Sequence, residues 1–351
     1  MSGLAEVLDA LNNHCSFLVA CHICPDGDAI GSLVALKLAL ARLGKKVLAV
    51  CPDEIPGQYA FLPGADEIMK PDEVRSRPEV VVALDASDME RLGAVSDLVA
   101  RWSCPVVNID HHVTNNCYGH YNYVVPDAAA TGELVYRVID GLRVDMKGDI
   151  ATSILTAIMS DTGSFRYCNT TKTSLVIAAE LVELGARPSH IAEHIFETRS
   201  YGSIKLLGKV LDDLHLTIDG KVAWAEISRE DMERFGVLEA ETEGFINYAR
   251  MVKDIRIALL FREGLDGRIH VGFRSRGGVD VSQIALLFGG GGHSMAAGCT
   301  VDGPMQRART EVLHAVENAL KDAGPGGANS GRMGECREPS TELCQSSNPL
   351  E

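Results

Sequence analysis

The sequence predicts an α/β protein in two parts: a doubly wound N-terminal domain on a parallel sheet, and a smaller α/β C-terminal domain with a mixed sheet. Three observations carry this. Short, continuously apolar segments alternate with helical stretches through the first half, and apolar runs without polar alternation mark strands covered on both faces. From about residue 203 the segments shorten, with the turn signals IDGK and LDGR between them, as in hairpins. With 351 residues, 46% of them hydrophobic, the chain is long enough for two cores.

In order, SFLVAC reads as a short buried strand and AIGSLVALKLALARLG as a helix stopped by Gly44. KKVLAV, PEVVVALD and CPVVNID are further strands, the last two ending in aspartate. TGELVYRVIDGL and DIATSILTAIMSDTGSF are helical, as are TKTSLVIAAELVELGA and PSHIAEHIFETRS. GSIKLLGKVLDDLHL reads as a connecting helix. Beyond it, LHLTID, KVAWAEIS, DIRIALLFRE and GRIHVGFRS are strands, and ETEGFINYARMV, DVSQIALLF and MQRARTEVLHAVENALKDA are helices. The domain limits that follow are 1–198, a linker helix at 199–213, and 214–323. Residues 324–351, polar and without periodicity, are expected to be disordered.

A net charge of −15 excludes a protein that coats long nucleic acid through a broad basic surface, though not a local site for a small anion. No apolar run reaches membrane-spanning length, and no basic-then-apolar leader opens the chain, so a cytoplasmic protein without membrane contact is expected. Ten scattered cysteines fit free thiols in a reducing compartment. Cys21 and Cys24 lack a second pair at zinc-ribbon spacing and read as thiols beside a strand end.

Loops leaving the carboxyl ends of parallel strands build active sites. Those ends carry His22, Asp26 and Asp28 after the first strand, Asp85 after the third, and Asp110, His111 and His112 after the fourth; Asp161 closes a later helix. Taken singly, each aspartate reads equally well as a helix cap and each histidine as a packed core residue. The joint pattern is hard to obtain from capping. So many carboxylates in one place raise each other's pKa unless cations offset them. Carboxylate and imidazole donors without cysteine suit Mn²⁺, with Mg²⁺, Co²⁺ or Zn²⁺ also admitted, and there are donors enough for two ions, the arrangement used for displacement at phosphorus.

In the second part, Gly289 to Gly292 follow an apolar helical stretch. Alone they read as a turn; beside the acidic motifs they read as a loop presenting N–H groups to an anion, with His293 adding a donor. Residues 250–276 carry a cationic excess within the acidic chain. Arg274 and Ser275 are the foremost candidates for a terminal phosphate, with Asn247 and Arg250 as further contacts.

These motifs resemble those of the DHH phosphoesterases. HICPDGD, VALDAS, NIDHH and IMSDTGSF are similar to that family's four motifs, and GGGGHSMAAG to the signature of its DHH-associated domain; the likeness spans roughly residues 5–322. The resemblance implies that His22, Asp26 and Asp85 hold one metal, and that Asp28, Asp85, His111 and Asp161 hold another, with Asp85 shared. It implies that Asp110 orients a ligand histidine and that His112 faces the scissile phosphate. The substrate contacts expected in the second domain are Arg274, Ser275, Gly290, Gly291, Gly292, His293, Asn247 and Arg250. The branch it resembles most degrades short oligoribonucleotides, dinucleotides such as pGpG or pApA among them, and removes the 3′-phosphate of adenosine 3′,5′-bisphosphate (pAp). Competing readings are a phosphodiesterase for cyclic or linear dinucleotides, an inorganic pyrophosphatase, a single-strand DNA exonuclease, and a nucleotide sensor without catalysis. The oligomeric state stays open, a homodimer included.

Overall fold

The structure is a computed structural model; it describes residues 3–217, 219–276 and 279–322, apart from the His293 side chain. The expected tail at 324–351 lies outside the described residues. The elements in order are α1 (Leu4–Asn13), β1 (Ser16–Cys21), α2 (Gly27–Arg42), β2 (Lys46–Val50), β3 (Val80–Leu84), α3 (Ala94–Trp102), β4 (Val106–Asp110), β5 (Tyr121–Val124), α4 (Thr131–Gly141), α5 (Asp149–Asp161), α6 (Lys172–Glu183) and α7 (Pro188–Ala192). Five strands form one sheet in the order β2-β1-β3-β4-β5, every pair parallel.

Strand residues alternate between two cores, which is why these segments are apolar throughout. Phe17, Val19 and Cys21 of β1, with Val80, Val82 and Leu84 of β3, face α1, α2, α4 and α5; Leu18, Ala20, Val81 and Ala83 face α3. Helix α2 is enclosed by α4 and α5 and so lacks a polar face over most of its length. Its crossing with α5 depends on Gly31, where a Cβ would lie 2.5 Å from the Ser153 carbonyl oxygen. That close approach brings Asp28, near the start of α2, toward Asp161 at the end of α5.

The second half continues with α8 (Tyr201–Asp212), β6 (His215–Leu216), β7 (Val222–Ile227), α9 (Arg229–Phe235), α10 (Phe245–Met251), β8 (Ile257–Glu263), β9 (Ile269–Ser275), α11 (Val281–Leu286), β10 (Gly291–His293), β11 (Ala296–Val301) and α12 (Met305–Asp322). Six strands lie in the order β10-β11-β9-β8-β7-β6, with only β7 and β8 parallel. The mixed sheet is the one expected. Helices α8, α9 and α10 pack on one face of it, α11 and α12 on the other. Leu206, Leu207 and Val210 of the connecting helix share a core with Ala223 and Ala225, so α8 is packed on the second sheet.

Several boundaries differ from expectation. Helix α5 stops at Asp161, because Gly163, Ser164 and Phe165 take left-handed φ values of 55°, 58° and 61°. The helix expected over residues 241–252 is broken at Gly244 (φ 80°) into a 3₁₀ turn and α10. Strand β5, YNYV, is half-polar and sits at the sheet edge, and α1, α3 and α9, also not anticipated, are only ten, nine and seven residues long. Among the described residues no helix is long and apolar enough to cross a membrane.

Candidate metal centre

The carboxyl ends of β1, β3 and β4 meet at the point where strand order reverses, and the expected residues gather there. Asp26 does cap α2, accepting from the amides of Asp28 and Ala29 at 3.0 Å each. Capping leaves its carboxylate near His22, whose Nε2 lies 3.9 Å from Asp26 Oδ1 and 3.4 Å from Asp85 Oδ2. The His22 Nδ1 donates to the Ile23 carbonyl at 2.6 Å, which turns Nε2 toward the acids.

A second group surrounds His111. Its Nε2 stands 3.8 Å from Asp28 Oδ2, 3.7 Å from Asp85 Oδ1 and 3.6 Å from Asp161 Oδ2, while Nδ1 bonds the Ala128 carbonyl at 3.1 Å. Asp85 touches both groups from a left-handed backbone conformation (φ 59°), a costly one for an aspartate. Asp110 is wholly buried; it accepts from His112 Nδ1 at 2.7 Å, from the His111 amide at 2.8 Å and from Asn115 Nδ2 at 2.6 Å.

The electrostatics show a crowded acidic cluster. Burial pushes the Asp28 carboxyl up, and Asp85, Asp161 and Asp26 push it further. Burial, with Asp26 and Asp85, raises Asp161 to about 7, against the pull of His111 and His112. Burial opposes ionisation of Asp85 as well, but the imidazoles of His22, His112 and His111 outweigh it and hold that carboxyl well below the usual range. His112 rises to about 9, because Asp110 and Asp85 outweigh its desolvation. Among the described residues no lysine or arginine pairs with Asp28, Asp85 or Asp161. Oxygen and imidazole atoms converging within 4.8 Å, with no cysteine, form a donor set that fits divalent cations.

Across the cleft, the Arg250 guanidinium lies 4.9 Å from the centroid of the Tyr167 ring. Arg274 has Tyr167, Arg250, Glu243 and Asp161 as its electrostatic neighbours, so the two domains meet over the acidic cluster. Asn247 is half-buried on α10, and its Oδ1 has no hydrogen-bond partner among the described residues. Ser275 does not join them: successive strand residues face opposite sides, and its hydroxyl is buried and donates to the Ser294 carbonyl at 3.4 Å. In the glycine loop, Gly290 and Gly292 are required by packing, since a Cβ would come within 2.1 Å of Gly298 O and 2.6 Å of Ala296 O, whereas Gly291 faces open space. The His293 side chain lies outside the described residues.

Residues 16–160 match the DHH family, N-terminal domain, and residues 218–322 match the DHHA1 domain. A protein of Thermus thermophilus, named bifunctional oligoribonuclease and PAP phosphatase NrnA, is 37% identical over 326 residues, covering 92% of this chain and 95% of that protein. The chain belongs to the DHH family. A Bacillus subtilis protein of the same name is 27% identical over 303 residues, covering 84% of this chain and 92% of its own. The crystal structure of an exopolyphosphatase-related protein from Bacteroides fragilis shares the fold with a TM-score of 0.82 at 26% identity, covering 91% of this chain and 95% of that one.

The DHH-domain centre also uses residues that the motifs do not reveal. The amides of Thr131 and Gly132, at the start of α4, donate to Asp28 at 2.6 and 2.9 Å, and the Thr131 hydroxyl donates to Asp85 at 2.9 Å. A helix N-terminus favours a carboxylate there. Tyr59 packs beside Gly27 and Ser160, and its hydroxyl reaches Glu243 of the second domain at 3.4 Å; Gln58 donates to the same carboxylate at 2.7 Å. A threonine opening a helix is the one sequence-level signal among these.

Proposed function

We propose that the chain is a two-metal phosphoesterase that hydrolyses short oligoribonucleotides from an end and removes the 3′-phosphate of pAp. The observation that carries this reading is the convergence of Asp28, Asp85 and Asp161 on His111 Nε2 at 3.6 to 3.8 Å. The full-length likeness to proteins named bifunctional oligoribonuclease and PAP phosphatase supports the choice of substrates. The net charge of −15 favours short ligands over long strands.

In this reading His22, Asp26 and Asp85 hold one cation and Asp28, Asp85, His111 and Asp161 hold the other, with Mn²⁺ the expected ion and Mg²⁺ or Co²⁺ also suited. When bound, such ions lower the pKa of an attacking water and offset the charge of the phosphate. The chain's own residues do the rest. Asp110 fixes the His112 ring through Nδ1, so that the imidazole donates a hydrogen bond to the phosphate or its leaving oxygen. Arg274 and Arg250 take the far phosphate, and the Gly291 backbone approaches it without steric obstruction. The distance from these groups to the acidic cluster sets the preferred length. The eight described cysteines are free thiols, which suits the cytoplasm.

The test is a Mn²⁺-supplemented panel of pAp, pGpG, a cyclic dinucleotide, pyrophosphate and RNA from dinucleotides to about 24 nucleotides, beyond the span of a single compact site. Turnover of pAp and the shortest RNAs, falling with length, is the expected result. Equal turnover along the RNA series contradicts the length reading, and binding of pAp without hydrolysis makes the protein a sensor.

A further inference from the structure

We propose that Tyr167 is a platform on which a base of the substrate stacks, an inference that rests on reading the site as one for nucleoside phosphates. The ring is placed by the turn that ends α5. Gly163, Ser164 and Phe165 are all left-handed, and the amides of Arg166 and Tyr167 both return to the Thr162 carbonyl at 3.0 Å. Two consecutive non-glycine residues held there are costly and persist only where their surroundings enforce them. The turn lays the ring on bare backbone: a Cβ on Gly163 would come within 2.4 Å of Tyr167 Cζ. Tyr167 is thereby fixed just beyond Asp161.

The second domain supplies the rest. The Arg250 guanidinium stands 4.9 Å from the ring centroid, and Arg274 has Tyr167 and Asp161 both among its neighbours. A half-buried aromatic ring beside two guanidinium groups and the acidic cluster matches the outline of a nucleoside phosphate, a flat base next to an anion. Bases stack on aromatic rings and on guanidinium planes with little regard to their identity. The base enters against the ring where Arg250 now lies, and the phosphate draws the guanidinium groups. The other aromatic side chains nearby are committed elsewhere. Tyr59 is buried, and Phe165 and Phe196 pack on the first-domain core.

Binding of adenosine 5′-phosphate and of ribose 5-phosphate to the Mn²⁺-loaded protein, measured by calorimetry, isolates the base without turnover. The expected result is that Tyr167→Ala weakens adenosine 5′-phosphate roughly tenfold and leaves ribose 5-phosphate unchanged, while Tyr167→Phe and Tyr167→Trp keep the wild-type preference. The KM for pAp rises in Tyr167→Ala with kcat retained. Equal loss of both ligands, unchanged adenosine 5′-phosphate binding in Tyr167→Ala, or a wild type that treats the two ligands alike overturns the proposal. Hydrolysis of pAp by the wild type reports separately on the functional reading.

Discussion

The Thr131 hydroxyl donates to Asp85 at 2.9 Å while the amide of the same residue donates to Asp28 at 2.6 Å. One helix start thus orients two carboxylates from different strands. Thr131→Val keeps the amide and the side-chain shape but removes the hydroxyl. A Mn²⁺ titration of activity is expected to show metal affinity lowered about tenfold, the usual effect of losing a group that orients a ligand. An unchanged titration curve would mean that the hydroxyl does not tune Asp85.

Asp110 holds the His112 ring and the His111 amide on the same Oδ1 and is not itself one of the acidic donors, so Asp110→Asn, whose remaining oxygen can keep the amide bond, separates orientation of His112 from metal binding. Asp110→Asn is expected to lower kcat on the order of a hundredfold, with Mn²⁺ affinity close to wild type. His112→Ala should lose at least as much, and the double variant little more than His112→Ala alone. Additive losses would show that the two side chains act independently.

Glu243 gives the seam between the domains a pH dependence. Although Glu243 as a residue is solvent-exposed, its carboxyl turns into the seam, where Gln58 donates to it; desolvation there and then Asp26 raise it to about 7, against Arg274, the Tyr59 hydroxyl and Arg199. A carboxyl whose folded pKa lies above its unfolded value stabilises the fold fully below the unfolded value, and that contribution is lost as pH rises through about 7. In chelator, wild-type Tm should therefore fall relative to Glu243→Gln between about pH 5 and pH 8. Parallel Tm curves for the two proteins would place the titration elsewhere.

The α2–α5 crossing leaves no room at Gly31. Gly31→Val is expected to cost about 1–3 kcal/mol in denaturant unfolding through overpacking, and to weaken metal binding by parting Asp28 from Asp161. Destabilisation with metal affinity intact would show that the crossing does not set the centre.

The acidic and imidazole residues were legible because a parallel sheet collects its strand ends on one edge, so that neighbours in space can be read from segment ends alone. His22, Asp85 and Asp110 are of this kind. Thr131, Tyr59 and Glu243 were not, because their roles depend on how α4 packs on α2 and how a 3₁₀ turn meets the second domain. Asp26 illustrates why single residues mislead: it is a helix cap and a member of the acidic cluster at once. The end of α5 was misplaced because apolar periodicity cannot register a turn of left-handed residues, and β5 lacked the continuous apolar run that marked its neighbours.

Metal stoichiometry, measured together with pAp hydrolysis for the wild type and Asp85→Ala, tests the centre most directly, since Asp85 touches both groups of donors. The predicted result is two Mn²⁺ per wild-type chain, fewer in the variant, and a loss of hydrolysis on the order of a thousandfold. A variant that keeps full activity, or a wild type that binds no Mn²⁺, would contradict the account.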